Sequence, residues 1–207
     1  MMPMLDVQGF ILVGGASSRM GEDKAQLMFG DLTAVELIGD ALHGVTPSVT
    51  TVGWAQAKTA SFQNIPDLRR DWGPLAGIEA ALRHAKSEHC LIVGCDFPFV
   101  TTKLFERLLQ LTEDWDAIVP VQNDRRPQPL CAVYRVETCL DGTERALAAD
   151  EHSPRALLDK VRTRYLPFIE ISDMAGAEHF FFNVNTPENY RRAQQIFEQL
   201  SSQNRER

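Results

Sequence analysis

The chain has 207 residues, 44% of them apolar, with 21 Lys+Arg against 28 Asp+Glu and a net charge of −7. That length suffices for one well-buried core and predicts a single domain over 1–200, with a frayed polar tail at 201–207. The acidic balance excludes a broad basic surface for nucleic acid, so affinity for phosphate has to be local.

Met1–Asp6 holds neither a basic stretch nor a long apolar run, and no later segment approaches a membrane span; a cytoplasmic protein with no membrane partner is expected. Gly9–Val13 is a short apolar run ending in glycines, the pattern of a first buried strand in a parallel sheet. The glycine-rich loop that follows therefore lies at the carboxyl end of that strand. Thr33 with Glu36 three residues on predicts a capping box, opening a helix whose apolar face is Ala34, Leu37, Ile38, Ala41 and Leu42. Ser48–Gly53 is a second strand. Gly73–Gly77 leads into a helix with Leu75, Ile78, Ala81, Leu82 and Ala85 at helical spacing.

Cys90–Cys95 is a further buried strand, followed by Asp96-Phe97-Pro98 and a helix carrying Leu104, Phe105, Leu108, Leu109 and Leu111. Ala117–Val121 and Pro129–Tyr134 read as strands separated by the polar turn Gln122–Arg126. Ser153-Pro154 and Thr186-Pro187 are each a cap followed by proline at the first helical position. Strand, loop and helix thus alternate, which predicts a three-layer α/β/α fold with a mostly parallel sheet and a ligand at the carboxyl ends of the strands. Cys90, Cys95, Cys131 and Cys139 form no CxxC pair, and Cys90 and Cys95 flank an apolar run, so reduced core thiols are expected rather than a disulfide framework or zinc site. His43, His84, His89, His152 and His179 share no metal spacing and read as structural, with His179 alone close to a proposed site segment.

The chemistry concentrates in Leu12-Val13-Gly14-Gly15-Ala16-Ser17-Ser18-Arg19-Met20-Gly21-Glu22-Asp23-Lys24. Backbone N–H groups of a glycine-rich turn converge on phosphate oxygens; Arg19 can fork onto two of them and Lys24 acts as a point charge. The Walker loop does not fit, because Gly21 is followed by Glu22 with the lysine three residues on, and adjacent Gly14-Gly15 does not supply a dinucleotide fingerprint. Asp96, at the end of a buried strand, is the natural carboxylate for Mg²⁺ beside a triphosphate, since that ion needs only one or two carboxylates when phosphates complete its shell.

This loop resembles the signature of molybdenum cofactor guanylyltransferases and related nucleotidyltransferases, which runs Leu-Ala-Gly-Gly, three residues, Arg-Met-Gly, then Asp-Lys. Val13 stands where the family has alanine. Relatives that use CTP tend to carry Ala-Ala-Gly, so Gly14 leans toward the guanylyl branch. Asp71-Trp72-Gly73-Pro74-Leu75-Ala76-Gly77 resembles a second family motif, an aspartate before Gly-Pro-Leu-Ala-Gly, with both parts contacting nucleotide. Phe182-Asn183-Val184-Asn185-Thr186-Pro187-Glu188 matches the late motif Asn-x-Asn-Thr-Pro-Glu; its alternation puts Asn183 and Asn185 on one side, facing a polar ligand. Arg125-Arg126-Pro127-Gln128-Pro129-Leu130 resembles the segment that shapes the acceptor side, and a solvated turn explains it equally well. The family often has an asparagine after its second strand, where this chain has Val52-Gly53-Trp54.

The resemblance implies a Rossmann-like nucleotidyltransferase fold and a Mg²⁺-dependent enzyme that transfers GMP from GTP to molybdopterin cofactor. Its partners would then be GTP, molybdopterin, and the molybdopterin-handling proteins and molybdoenzymes downstream, with no nucleic acid. It assigns Arg19, Lys24 and Asp96 to catalysis and Asp96 to metal. The nucleotide falls to Leu12, Val13, Gly14, Gly15, Arg19, Lys24, Asp71, Gly73, Pro74, Gly77 and Asp96, and the acceptor side to Asn183 and Asn185. Three rivals remain: a cytidylyltransferase of the same cofactor, a transferase for another phosphorylated acceptor, and a nucleotide-binding module without turnover.

Overall fold

Apolar runs without polar alternation are strands covered on both faces. The structure, a computed structural model, describes residues 6–13, 24–53, 62–69 and 72–205, with side chains to residue 202. In chain order it contains β1 (Val7–Leu12), a hairpin of β2 (Met28–Phe29) and β3 (Leu32–Thr33), α1 (Ala34–His43), β4 (Val49–Val52) and β5 (Gln63–Ile65). Next come α2 (Pro74–His84), β6 (His89–Gly94), α3 (Thr102–Leu109), β7 (Ala117–Pro120) and β8 (Cys131–Arg135). Finally α4 (Val136–Ala148), α5 (Pro154–Leu158), β9 (Thr163–Leu166) and α6 (Pro187–Arg205) complete it.

Seven strands form one sheet in the order β5-β4-β1-β6-β8-β7-β9. All neighbours are parallel except at β8, which runs antiparallel to both β6 and β7. The β1–β4 connection steps one way across the sheet, and the return through α2 lays β6 on the other side of β1. Connectivity therefore reverses between β1 and β6, the place where α/β sheets open a crevice at their carboxyl ends.

Successive residues of the central strands feed opposite cores. Ile11, Leu91 and Val93 join Ile38 and Leu42 of α1 and Leu104, Phe105 and Leu108 of α3. Phe10, Leu12, Cys90 and Ile92 join Leu75, Ile78 and Leu82 of α2, Ala146 of α4 and Leu157 of α5. A third cluster pins the β2–β3 hairpin to α6 through Phe29, Phe99, Val184, Ala193 and Ile196. All four cysteines are buried, and burial holds the Cys90 and Cys131 thiols far above their usual range.

Two expectations need correction. Strand and helix do not alternate throughout: β7 and β8 are joined by residues 121–130 with no helix between them, and strand pairing begins at Cys131 rather than Pro129. Five elements carried no usable sequence pattern, namely the two hairpin strands β2 and β3, the exposed edge strand β5, the polar edge strand β9 and the helix α4. Helix α6 runs from Pro187 to Arg205.

Candidate active site

The site is built at the carboxyl ends of β1 and β6. Leu12 and Val13 are buried, and their backbone is committed to the sheet: Cys95 N–H donates to the Leu12 carbonyl at 3.0 Å and Val13 N–H to the Val52 carbonyl at 2.9 Å. They fix where the glycine loop leaves the sheet. Gly14, Gly15 and Arg19 lie outside the described residues, as does Asp71.

At the end of β6 the chain turns sharply, with Phe97 N–H donating to the Gly94 carbonyl at 3.2 Å. The Asp96 carboxylate folds back over Gly94, so that a Cβ there would lie 2.6 Å from Asp96 Oδ1. Only glycine permits that approach. Burial raises the Asp96 pKa, and the Lys24 charge opposes the rise. Asp96 does not cap α3, which starts six residues later on the Thr101 hydroxyl, an acceptor for Leu104 N–H at 3.4 Å.

Lys24 opens a short 3-10 turn after the glycine loop, and its Nζ donates to Asn185 Oδ1. Asn185 is brought there by the cross-link from Val184 N–H to the Asp96 carbonyl at 3.0 Å and by the packing of Val184 in the third cluster. The segment 182–185 is not a sheet strand; Val184 packs into the third cluster while Asn185 meets Lys24. The Asn183 side-chain oxygen is buried without a hydrogen-bond partner among the described residues. A buried acceptor left this way is costly unless a ligand, ion or water completes it. Thr186 caps α6, its hydroxyl accepting from Asn189 N–H at 3.1 Å.

Helix α2 supplies the third wall. Gly73 precedes it at φ +72°, a conformation that suits glycine, and Pro74 takes the first helical position. Gly77 lies against the end of β1, where a Cβ would be 3.4 Å from Leu12 Cδ1 and also 3.4 Å from Asp67 Oδ1. Asp67 was missed in the sequence. Its carboxyl is half-buried at the carboxyl side of β5, and burial raises its pKa. The signal that could have found it is the strand before it, but Gln63-Asn64-Ile65 is too short and polar to read as one. Arg126 is exposed and paired with Asp124 at 2.6 Å within its own turn, which accounts for that segment as a solvated turn.

The donor set suits a hard cation: a carboxylate at Asp96 and an unpartnered amide oxygen at Asn183, with no cluster of three His, Cys, Asp or Glu among the described residues. Such an ion takes most of its shell from substrate phosphates and water.

Lys24 and the Asp96 carboxylate, brought together at the switch point of a mostly parallel sheet, fit the site of a nucleotidyltransferase. The chain belongs to the MobA-like NTP transferase family, whose model matches residues 9–164. It is 35% identical to a protein of Pelotomaculum thermopropionicum named "Probable molybdenum cofactor guanylyltransferase", over 89% of this chain and 90% of that one. A Carboxydothermus hydrogenoformans protein of the same name is 32% identical, over 90% of this chain and 94% of the relative. Among solved structures, molybdopterin-guanine dinucleotide biosynthesis protein A from Archaeoglobus fulgidus superposes with a TM-score of 0.77 at 29% identity, covering 93% of this chain and 99% of that one. A cytidylyltransferase acting on 2-C-methyl-D-erythritol 4-phosphate, from Thermus thermophilus, shares the fold at TM-score 0.69 and 16% identity, covering 93% and 98% of the two chains. No helix among the described residues is long and apolar enough to cross a membrane.

Proposed function

We propose that this protein transfers GMP from GTP to the terminal phosphate of molybdopterin cofactor. An acceptor phosphate oxygen attacks the α-phosphorus; the new P–O bond forms as the bond to the bridging oxygen breaks, and pyrophosphate leaves with the electron pair. Such a reaction asks a protein for alignment and charge neutralisation rather than covalent chemistry. The observation that carries the reading is the meeting of Lys24, Asn185 and the Asp96 turn at the β1–β6 crevice. The names borne by relatives that match along nearly the whole chain support the guanylyl and molybdopterin specificities.

In this reading Lys24 and Arg19 hold the triphosphate and neutralise the departing pyrophosphate. Gly14 and Gly15 give the backbone close access to it. The turn from Gly73 through Pro74 to Gly77, with Asp71, holds the nucleoside, and Asp67 stands beside it. Asp96 holds Mg²⁺, which when bound supplies positive charge to the phosphate oxygens. Asn183 completes the metal or acceptor side with its unpartnered oxygen, and Asn185 holds Lys24 in place.

The test is pyrophosphate release from GTP in the presence of molybdopterin cofactor, with CTP as competitor and Mg²⁺ removed and restored. Expected are acceptor-dependent release, preference for GTP, and losses of several orders of magnitude in Lys24→Ala and Asp96→Ala. Full turnover in either variant sinks the residue assignment; CTP preference moves the protein to the cytidylyl branch; nucleotide binding without release makes it a binding module.

A further inference from the structure

Outside the crevice, one buried carboxylate organises the segment that leads into α2. Glu79 is 1% exposed on the second turn of that helix. A charge so deep persists only when paired, and Glu79 is paired twice. Arg83 donates to its Oε1 through Nε and Nη2, both at 3.1 Å, and Arg69 Nε donates to its Oε2 at 2.9 Å. The two arginines differ in what else they hold. Arg83 is one helical turn away and also pairs with Glu144 of α4 at 2.8 Å, so it ties two helices together. Arg69 reaches back from the loop before the helix, and its guanidinium carbon stands 4.8 Å from the centre of the Trp72 ring.

Trp72 in turn lies against His152, with ring centres 4.5 Å apart and planes inclined at 30°. His152 belongs to the loop between α4 and α5, and its carbonyl oxygen lies 3.5 Å from where a Gly73 Cβ would be. Glu79, Arg69, Trp72 and the Gly73 backbone thus form a clasp that starts inside α2 and closes on the residue just before it. Asp67, facing Gly77 and Leu12, sits two residues before Arg69 in the same loop. Without the clasp this loop, whose Gly73 holds a left-handed conformation, must be ordered by the ligand itself, and that ordering is subtracted from affinity.

We propose that Arg69 is a positioning residue for nucleotide binding: anchored by Glu79 and stacked on Trp72, it presets the loop that presents Asp67 and the Gly73–Gly77 turn to the nucleoside. This rests on the nucleotide reading above. It predicts a cost in ground-state binding of GTP rather than in chemistry, because Arg69 acts on the segment assigned to the nucleoside and has no contact with Lys24 or Asp96 among the described residues.

The experiment compares Arg69→Ala, Arg69→Lys and Arg83→Ala by calorimetric GTP affinity, by KM and kcat, and by thermal melting. Arg69→Ala is expected to raise Kd and KM for GTP about tenfold, the scale of a cation–π contact together with an ion pair to a buried carboxylate, with kcat unchanged. Arg69→Lys keeps a cation for Glu79 and Trp72 and should recover most of the affinity. Arg83→Ala removes a partner from the same carboxylate without touching the loop; it should lower the melting temperature and leave GTP affinity within about twofold. Equal losses in Arg69→Ala and Arg83→Ala would reduce the clasp to a stability device and overturn the proposal, as would unchanged GTP affinity in Arg69→Ala. Wild-type protein that binds no GTP would overturn the nucleotide reading itself and this inference with it.

Discussion

Lys24 and Asn185 are joined by a side-chain hydrogen bond across 161 positions of sequence. The bond closes the crevice between the first and last motifs of the chain, and it holds a flexible cation in one place before any phosphate arrives. Preset charge of this kind costs no reorganisation when the ligand binds. Asn185→Ala should therefore lower kcat/KM for GTP about tenfold, the worth of one hydrogen bond to a charged group, while the melting temperature stays close to wild type. Steady-state pyrophosphate release checks this, and an unchanged kcat/KM would separate Asn185 from Lys24 function.

Gly94→Ala tests the Asp96 geometry without touching its charge. The added Cβ would fall 2.6 Å from Asp96 Oδ1, whereas its next contacts, the Phe97 ring carbons at 3.6 Å, are ordinary. The carboxylate has to swing away while the surrounding core stays in place. A displacement near an ångström in a reacting constellation costs on the order of a hundredfold, so turnover should fall by about that factor in a protein that still melts cooperatively. Full activity would mean that the carboxylate position seen here is not the working one.

Thr33 and Glu36 form the reciprocal capping box of α1: Thr33 N–H donates to Glu36 Oε2 at 2.8 Å, and Glu36 N–H to Thr33 Oγ1 at 3.2 Å. These bonds hold the Glu36 carboxyl below its usual pKa. Thr33→Ala is expected to cost about 1 kcal/mol of stability in urea unfolding, with GTP turnover unchanged, because the cap lies on the scaffold and not in the crevice.

Asp116 anchors the opposite end of the sheet. Its pKa is pulled up by burial but held lower on balance by the bonds it accepts from Arg162, the backbone N–H at 3.0 Å and Nε at 3.3 Å. A depressed carboxyl contributes stability above its unfolded pKa and loses it as pH falls through the folded value. The stability gap between wild type and Asp116→Asn should thus be full near neutrality and close as the pH falls below the ordinary aspartate range and through the lowered folded value. Urea midpoints measured along that series decide it; a gap that persists at the acid end would mean the pairing does not depend on the Asp116 charge.

Much of this molecule can be read along the chain because its signals are local. Gly9–Val13 and Cys90–Cys95 announce strands buried on both faces, Thr33 and Glu36 announce a cap, and the late Asn-x-Asn-Thr-Pro-Glu run announces both the amide pair and the start of α6. Local patterns also carried the three-layer fold and the placing of Asp96 at a strand end. Where pattern was absent, the reading was blank: β5 has three exposed or half-buried residues, and β9 takes its place as the edge strand through pairing with β7 rather than through its own alternation.

Contact between distant segments belongs to the tertiary structure. That Asn185 would hold Lys24 and that Asp67 would face Gly77 depend on which strands neighbour one another in the sheet. His152 reaches Trp72 only because α4 and α5 pack beside α2. Sequence by itself determined the chemistry available, since residue types and their local periods are covalent facts. The fold alone decided which of those groups meet, because strand order and helix packing answer to the burial of the whole core, a sum over residues far apart in the chain.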